Sequence, residues 1–312
     1  MTGNPESWEE KLAADQTVII DGATGTELQR RDVPMDKIAW SGAAVLSNPD
    51  TVRAVHEDYI RAGAEVIISN TFGSTRQMLE PAGFGEHVET VNRRGVELAI
   101  EARDNAADRT VAVAGSISAM PPGFDREAFF SPQKEIDSYR EAVGILAAAG
   151  SDLIALEMME DTVHAARAMQ AAVESDLPVW LGVSCKQTKE GNLVGFGRQD
   201  VGLAEVLDVL LPFGPAVVNI MHTCVDAIPA AIQLVRQRWE GPLGVYPESG
   251  YFTKPNWNFV DVIPPGELVR EATGWVQSGV RLLGGCCGTG PEHVKALRDA
   301  LPNFQRVGER GS

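Results

Sequence analysis

The chain has 312 residues, 44% of them hydrophobic and 22% charged, which is enough to bury a sizeable core. Its net charge of −16 argues against nucleic acid and anionic membrane surfaces as partners. No apolar run reaches the length of a membrane helix, and the polar amino-terminal stretch lacks the basic and apolar regions of a signal peptide. Four cysteines, two of them adjacent, do not read as a secreted disulfide framework, so a cytoplasmic protein with reduced thiols is expected. In chain order, strand-like runs fall at 17–21, 65–70, 110–115, 152–157, 179–185, 216–221, 243–247 and 280–284. Amphipathic stretches at 51–62, 87–106, 133–149, 162–174 and 227–239 lie between them. Several strand runs are apolar almost throughout, as expected for strands buried on both faces. The alternation predicts an α/β protein, a (β/α)8 TIM barrel, as one domain over 1–312 with its core at about 15–303. A doubly wound sheet is the runner-up, but no Gly-x-Gly-x-x-Gly follows the first strand. The tails 1–14 and 304–312 are expected to be loosely ordered.

In such a barrel the chemistry sits at the carboxyl ends of the strands. Nearly every predicted strand runs into polar or glycine-rich residues there. The first leads into Asp21-Gly22-Ala23-Thr24-Gly25-Thr26-Glu27, the second into Asn70-Thr71-Phe72-Gly73, the fourth into Glu157. The sixth leads into Asn219-Ile220-Met221-His222-Thr223-Cys224, the seventh into Tyr246-Pro247-Glu248, and the eighth into Gly284-Gly285-Cys286-Cys287-Gly288.

Cys286 and Cys287 are the most informative pair in the chain. The flanking glycines allow a tight bend, and adjacent cysteines rarely join in a strained disulfide. Two readings stand: apolar thiols packed in a core, or ligands to one soft metal ion. A thiol from the sixth strand would complete a three-sulfur site, with zinc as its natural occupant and the fourth position left open for a substrate thiol. Zinc holds such a thiol as thiolate at neutral pH.

With these motifs the chain resembles the homocysteine S-methyltransferases, zinc-dependent enzymes that methylate homocysteine to methionine. The resemblance runs from about Thr17 to Leu301. It rests on 21–29, Ala62-Gly63-Ala64, Asn70-Thr71-Phe72-Gly73, Glu157, Tyr246-Pro247, Gly284-Gly285-Cys286-Cys287-Gly288-Thr289 and Pro291-Glu292-His293. It implies a (β/α)8 barrel with Cys286 and Cys287 as zinc ligands and Glu157 on the homocysteine amino group. Asp21 would line the amino-acid pocket with the glycine turn after it. Gly22, Thr26, Asn70, Thr71, Asn219 and Tyr246 are further substrate-binding candidates. A structural ion pair for Glu157 and a loop cap for Asp21 are the alternatives.

Two departures stand out. The family's third zinc ligand is the cysteine of an Asn-Cys pair, which here reads Asn219-Ile220. Cys224, a few residues on, is the expected replacement, and His222 is the other candidate. Cys185 reads as a core thiol. Glu248 stands where relatives often have Asn, and either faces solvent or favours a cationic methyl donor.

A chain of this length has no room for cobalamin or folate domains, which points to a small onium donor. Trp40 supports this by resemblance to the betaine and S-methylmethionine enzymes, since an aromatic face attracts onium ions. Gly73 and Met158 stand where betaine enzymes have tyrosines, which favours a sulfonium such as S-methylmethionine or dimethylsulfoniopropionate over betaine. Tyr246, Tyr251 and Trp257 could supply a replacement cage. The alternatives are methylation of another thiol or selenol, a zinc hydrolase, and a non-catalytic zinc-binding relative. The oligomeric state is not readable from the sequence; that homologous barrels often self-associate makes a homo-oligomer possible by analogy alone.

Overall fold

The computed structural model describes residues 6–308, apart from 122 and 124. Eight parallel strands form the barrel: β1 (Val18–Ile19), β2 (Val66–Ile68), β3 (Ala112–Ser118), β4 (Leu153–Met159), β5 (Val179–Gln187), β7 (Val217–Cys224), β8 (Leu243–Glu248) and β11 (Leu282–Leu283). A short β6 (Leu193–Gly195) runs antiparallel to β5, and β9 (Tyr251–Thr253) and β10 (Asn256–Asn258) make a separate hairpin. All eight predicted strands are present as barrel strands. The wall closes where β1 pairs with β11 on one side and the bridge Ile20 to Val66 joins it to β2 on the other.

Side-chain alternation divides the apolar residues into two layers. Val18, Ile20, Val66, Ala114, Ala155, Trp180, Met221 and Tyr246 fill the barrel interior. Ile19, Ile67, Val113, Leu156, Leu181, Ile220 and Leu283 point outward against the helices. Both faces of each strand are thus apolar, which is why the runs show no polar alternation.

The outer helices are α4 (Pro49–Ala62), α6 (Val88–Ala106), α7 (Pro132–Ala148), α8 (His164–Val173), α9 (Leu203–Leu210), α10 (Ile228–Arg236), α11 (Pro265–Gln277) and α12 (Pro291–Gly308). Short helices α2 (Thr24–Arg30), α3 (Ala44–Ser47) and α5 (Arg76–Leu79) sit in the loops on the strands' carboxyl side. Among the described residues no helix is long and apolar enough to cross a membrane.

The expectation of loose tails fails where the tails carry large aromatic side chains. Residues Trp8–Ala13 form α1, started by a reciprocal Ser7–Glu10 capping box. Trp8 is buried and meets Trp180 edge to face, ring centres 5.1 Å apart. Lys11 pairs with Glu65, whose other oxygen accepts the Ile19 N–H. At the other end Phe304 is buried, so α12 runs on through 308. Residues 1–5 and 309–312 lie outside the described residues.

One buried group makes stability depend on pH. His56 of α4 is fully buried, and neither ring nitrogen has a hydrogen-bond partner among the described residues. Burial lowers its pKa from 6.5 to about 4. Between these values the unfolded chain takes up a proton that the folded chain refuses. Folding free energy is therefore full above pH 6.5 and is expected to fall by up to about 3 kcal/mol as pH drops toward 4. Urea unfolding across that window checks this; a His56→Leu variant should lose that part of the slope.

Candidate metal centre and substrate cavity

A cavity of about 340 Å³ is walled by residues at the carboxyl ends of the strands and by the loops that follow. Its reactive corner is built by β11 and β7. After Leu283 the chain turns through Gly284 and Gly285, and the Cys286 N–H donates to the Pro247 carbonyl at 2.9 Å. The Thr289 hydroxyl donates back to the Cys286 carbonyl at 2.8 Å. Gly288 closes the turn at φ 88°, and a Cβ there would stand 1.7 Å from the Ser249 carbonyl oxygen, so no other residue fits. Its N–H donates to Thr26 Oγ1 at 3.2 Å.

The group brought together is His222, Cys286 and Cys287, whose ligand atoms all lie within 4.8 Å of one another. His222 Nδ1 is 3.4 Å from Cys286 Sγ. Regular alternation would turn His222 outward, because Met221 faces the interior. A register shift in the β7–β8 pairing between Met221 and Cys224, with His222 at φ 43°, swings the imidazole inward instead. Cys224, the expected third sulfur, is not in this group. It is exposed, and its thiol donates to Glu248 Oε1 at 3.1 Å. Partial desolvation of the sulfur and the Glu248 carboxylate push that thiol up to about 12. Asn219 is buried in the barrel interior and Ile220 points to the helices, so neither lines the cavity. The position facing the cysteine pair lies two residues beyond Ile220.

Glu248 is buried and turned to His222, with Oε2 3.4 Å from Nε2, rather than facing solvent or the cavity. Burial works against a charged imidazole, but Cys286, Glu248 and Glu160 around it raise His222 to about 9. Cys287 beside it and burial hold the Cys286 thiol well above the ordinary cysteine range. Cys185 is a buried core thiol near Thr223, pushed by burial to about 11.

Glu157 lines the cavity at the end of β4. Its carboxylate accepts the Ser116 hydroxyl and interacts with Tyr246, which also lines the cavity. Burial raises its pKa, and these two partners and His222 oppose the rise. Asp21 is fully buried behind Gly22. One carboxylate oxygen accepts the Ile68 N–H at 2.7 Å; the other has no partner among the described residues. Burial raises its pKa, and Glu157 adds to the rise.

The other candidates divide into liners and braces. Gly22, Trp40 and Asn70 line the cavity. Asn70 also holds the Trp40 loop, donating to the Ser41 carbonyl at 2.8 Å and accepting from the Ser41 hydroxyl at 3.0 Å. Thr71 and Thr26 are fully buried and do not line it. Thr71 Oγ1 bonds both the carbonyl and the N–H of Ser116, and Thr26 supports the turn at Gly288.

Aromatic residues line the rest of the cavity. Trp40 and Phe72 meet edge to face, and Phe129, Phe196, Phe252 and Trp257 are further liners, with Glu160 and Asp161. Of the proposed cage, Trp257 and Tyr246 face in, whereas Tyr251 is 53% exposed. Nothing in the sequence marks Phe129, Phe196 and Phe252 as liners, and Phe72 enters only within the Asn70-Thr71-Phe72-Gly73 stretch. Pairing in the β9–β10 hairpin sets Phe252 opposite Trp257, a signal readable only once the hairpin is known.

The fold places the chain among (β/α)8 barrels with a thiol-bearing mouth. It superposes on the homocysteine methyltransferase MmuM from Escherichia coli, in its metallated form, with a TM-score of 0.73 at 24% identity, covering 91% of this chain and 96% of that one. Homocysteine S-methyltransferase 2 of Zea mays is 28% identical over 95% of this chain and 94% of its own length. A selenocysteine methyltransferase of Astragalus bisulcatus is 29% identical, covering 94% of each chain. The homocysteine S-methyltransferase family model matches residues 18–301, and the chain belongs to that family of methyltransferases.

Proposed function

We propose that the protein moves a methyl group from a small onium donor to the thiol of homocysteine, giving methionine, with zinc held by His222, Cys286 and Cys287. The observation that carries this reading is convergence. One cavity is lined by the three soft-ligand side chains, by a buried carboxylate and by a set of aromatic rings. Two thiols and an imidazole suit zinc and leave a fourth position open. The donor set itself calls for a cation, since the neighbouring Cys287 and burial oppose ionisation of Cys286. When bound, zinc would hold the acceptor thiol as thiolate at neutral pH.

The residues of the chain do the rest. Glu157, held by Ser116 and Tyr246, takes the acceptor's ammonium group, as a carboxylate in a closed site does well. Asp21, one of whose oxygens has no partner among the described residues, lies close enough to Glu157 for the two carboxyls to influence each other. Trp40 and its aromatic neighbours hold the cationic donor over their faces, and Glu160 and Asp161 favour the same charge. The apolar lining excludes water, which favours a transfer in which opposite charges cancel. Two positions also bear on donor type. A Cβ at Gly73 would stand 2.5 Å from the Ala39 carbonyl oxygen, so an aromatic side chain there does not fit this backbone, and Met158 lines the wall where another would stand. S-methylmethionine and dimethylsulfoniopropionate are therefore favoured over betaine. A selenol acceptor is the second reading, supported by the relative named a selenocysteine methyltransferase.

The test is to give the zinc-loaded, reduced protein homocysteine with each donor in turn and detect methionine by mass. Product from a sulfonium donor supports the reading; no product from any onium donor, with zinc bound, overturns it. Trp40→Ala should raise the donor KM about 3- to 30-fold and leave the homocysteine KM unchanged, the range expected for one cation–π contact. An equal rise in both would remove the aromatic's role in donor binding.

A further inference from the structure

We propose that Glu248 is a positioning residue that fixes the His222 imidazole for metal binding through Nδ1, so that histidine and glutamate together do the work of one thiolate. The inference rests on the metal reading above and concerns residues that the cysteine-pair motif does not cover. An imidazole offers two nitrogens, and it ligates through one only if the other carries the proton. Here Nδ1 faces Cys286 Sγ at 3.4 Å, while Nε2 faces Glu248 Oε2 at 3.4 Å. The carboxylate selects the form protonated at Nε2 and leaves the Nδ1 lone pair aimed at the cysteines.

Three further features favour this assignment. Glu248 is buried, and among the described residues its ion-pair partner is His222 and no lysine or arginine. A buried carboxylate without such a partner is costly, and it is retained here beside the one ring that could use it. Cys224, its cross-strand neighbour after the register shift, donates its thiol hydrogen to Oε1 and so leaves Oε2 for His222. The ring is also held edgewise by Phe196 and Trp257, centres 4.7 and 5.7 Å away, so its rotation is restricted and Nδ1 stays turned toward Cys286. Charge points the same way. Replacing a thiolate ligand by neutral imidazole removes one negative charge from the centre, and Glu248 returns it one side chain further out. The sulfur ligands thereby keep a comparably electron-rich metal.

A double-mutant comparison tests this on the full-length, reduced, metal-free protein. Zinc affinity is read by competition with a chelating dye, and the cobalt-loaded proteins are compared by absorption. Glu248→Gln should weaken zinc binding about 10- to 100-fold, as loss of a group that orients a metal-bound histidine does, and shift the cobalt ligand-field bands while keeping thiolate charge-transfer intensity. In a His222→Cys background the same change should cost no more than about twofold, because a thiolate needs no orienting partner. Glu248→Asp, which keeps the charge but draws it back from Nε2, should weaken zinc in the native background too and serves if Glu248→Gln does not fold. Native zinc affinity in Glu248→Gln, or an equal loss in both backgrounds, overturns the proposal while leaving the metal centre standing. Failure of the unmodified protein to bind zinc overturns both.

Discussion

Cys286→Ala and Cys287→Ala should each abolish methyl transfer while the barrel stays folded. Structural zinc sites bind with roughly 10–16 kcal/mol in total, so each ligand of a three-ligand set is worth about 3–5 kcal/mol, or roughly 10²- to 10⁴-fold in zinc affinity. Without the metal the acceptor thiol keeps an ordinary pKa of about 8.5 and is only a few per cent thiolate at neutral pH. The barrel should survive because both side chains sit beyond the end of β11, where Cys286 touches only the rim of the inner apolar layer. Metal content by mass spectrometry, far-ultraviolet circular dichroism and the methionine assay separate these effects. Full activity in either variant would remove the cysteine pair from the chemistry. A mutant that unfolds without zinc would make the centre structural rather than catalytic.

Glu157→Gln should cost about 30- to 4,000-fold in kcat/KM for homocysteine, the usual 2–5 kcal/mol for removing one partner of a buried charge pair. The loss belongs to amino-group recognition and not to stability. Ser116 can still donate to the amide oxygen, and burial already disfavours the charged carboxyl in the free protein. A thiol acceptor of the same length without the amino group discriminates. Wild type and variant should handle it at similar rates if Glu157 binds ammonium. A loss as large as that for homocysteine would instead give Glu157 a role independent of that group.

Much of the fold is legible in the sequence because parallel strands covered on both faces read as unbroken apolar runs. The short α1 is hard to read because residues 9–11 are Glu-Glu-Lys, and its main anchor, Trp8, finds a partner in Trp180 that is distant in sequence. Cys286 and Cys287 stand out because paired cysteines between glycines have few other uses. The sequence favours Cys224 over His222 for a physical reason. Sulfur chemistry favours the cysteine, and nothing in the order Met221-His222-Thr223-Cys224 announces a left-handed residue that reverses the facing of the strand end. Thr26 and Thr71 share motifs with residues that line the cavity yet point away from it, so the motifs mix contact with support. Phe129 and Phe196 come from loops whose course is set by tertiary packing.

The closing of the barrel at β1 bears on how the molecule comes apart. β1 holds two residues in register with β11 and reaches β2 through one bridge, with the Asp21 and Glu65 carboxylates taking backbone N–H groups that a longer ladder would have satisfied. Fewer residues pair here, and at the equally short β11–β8 join, than at the broader joins between β3 and β8, so partial opening is cheapest along this side of the wall. Next to it, His222 on β7 and the cysteines after β11 straddle β8. An ion gripped from both sides would rivet three neighbouring strands together, and loading the centre would add cohesion beside the part of the wall that has least of its own.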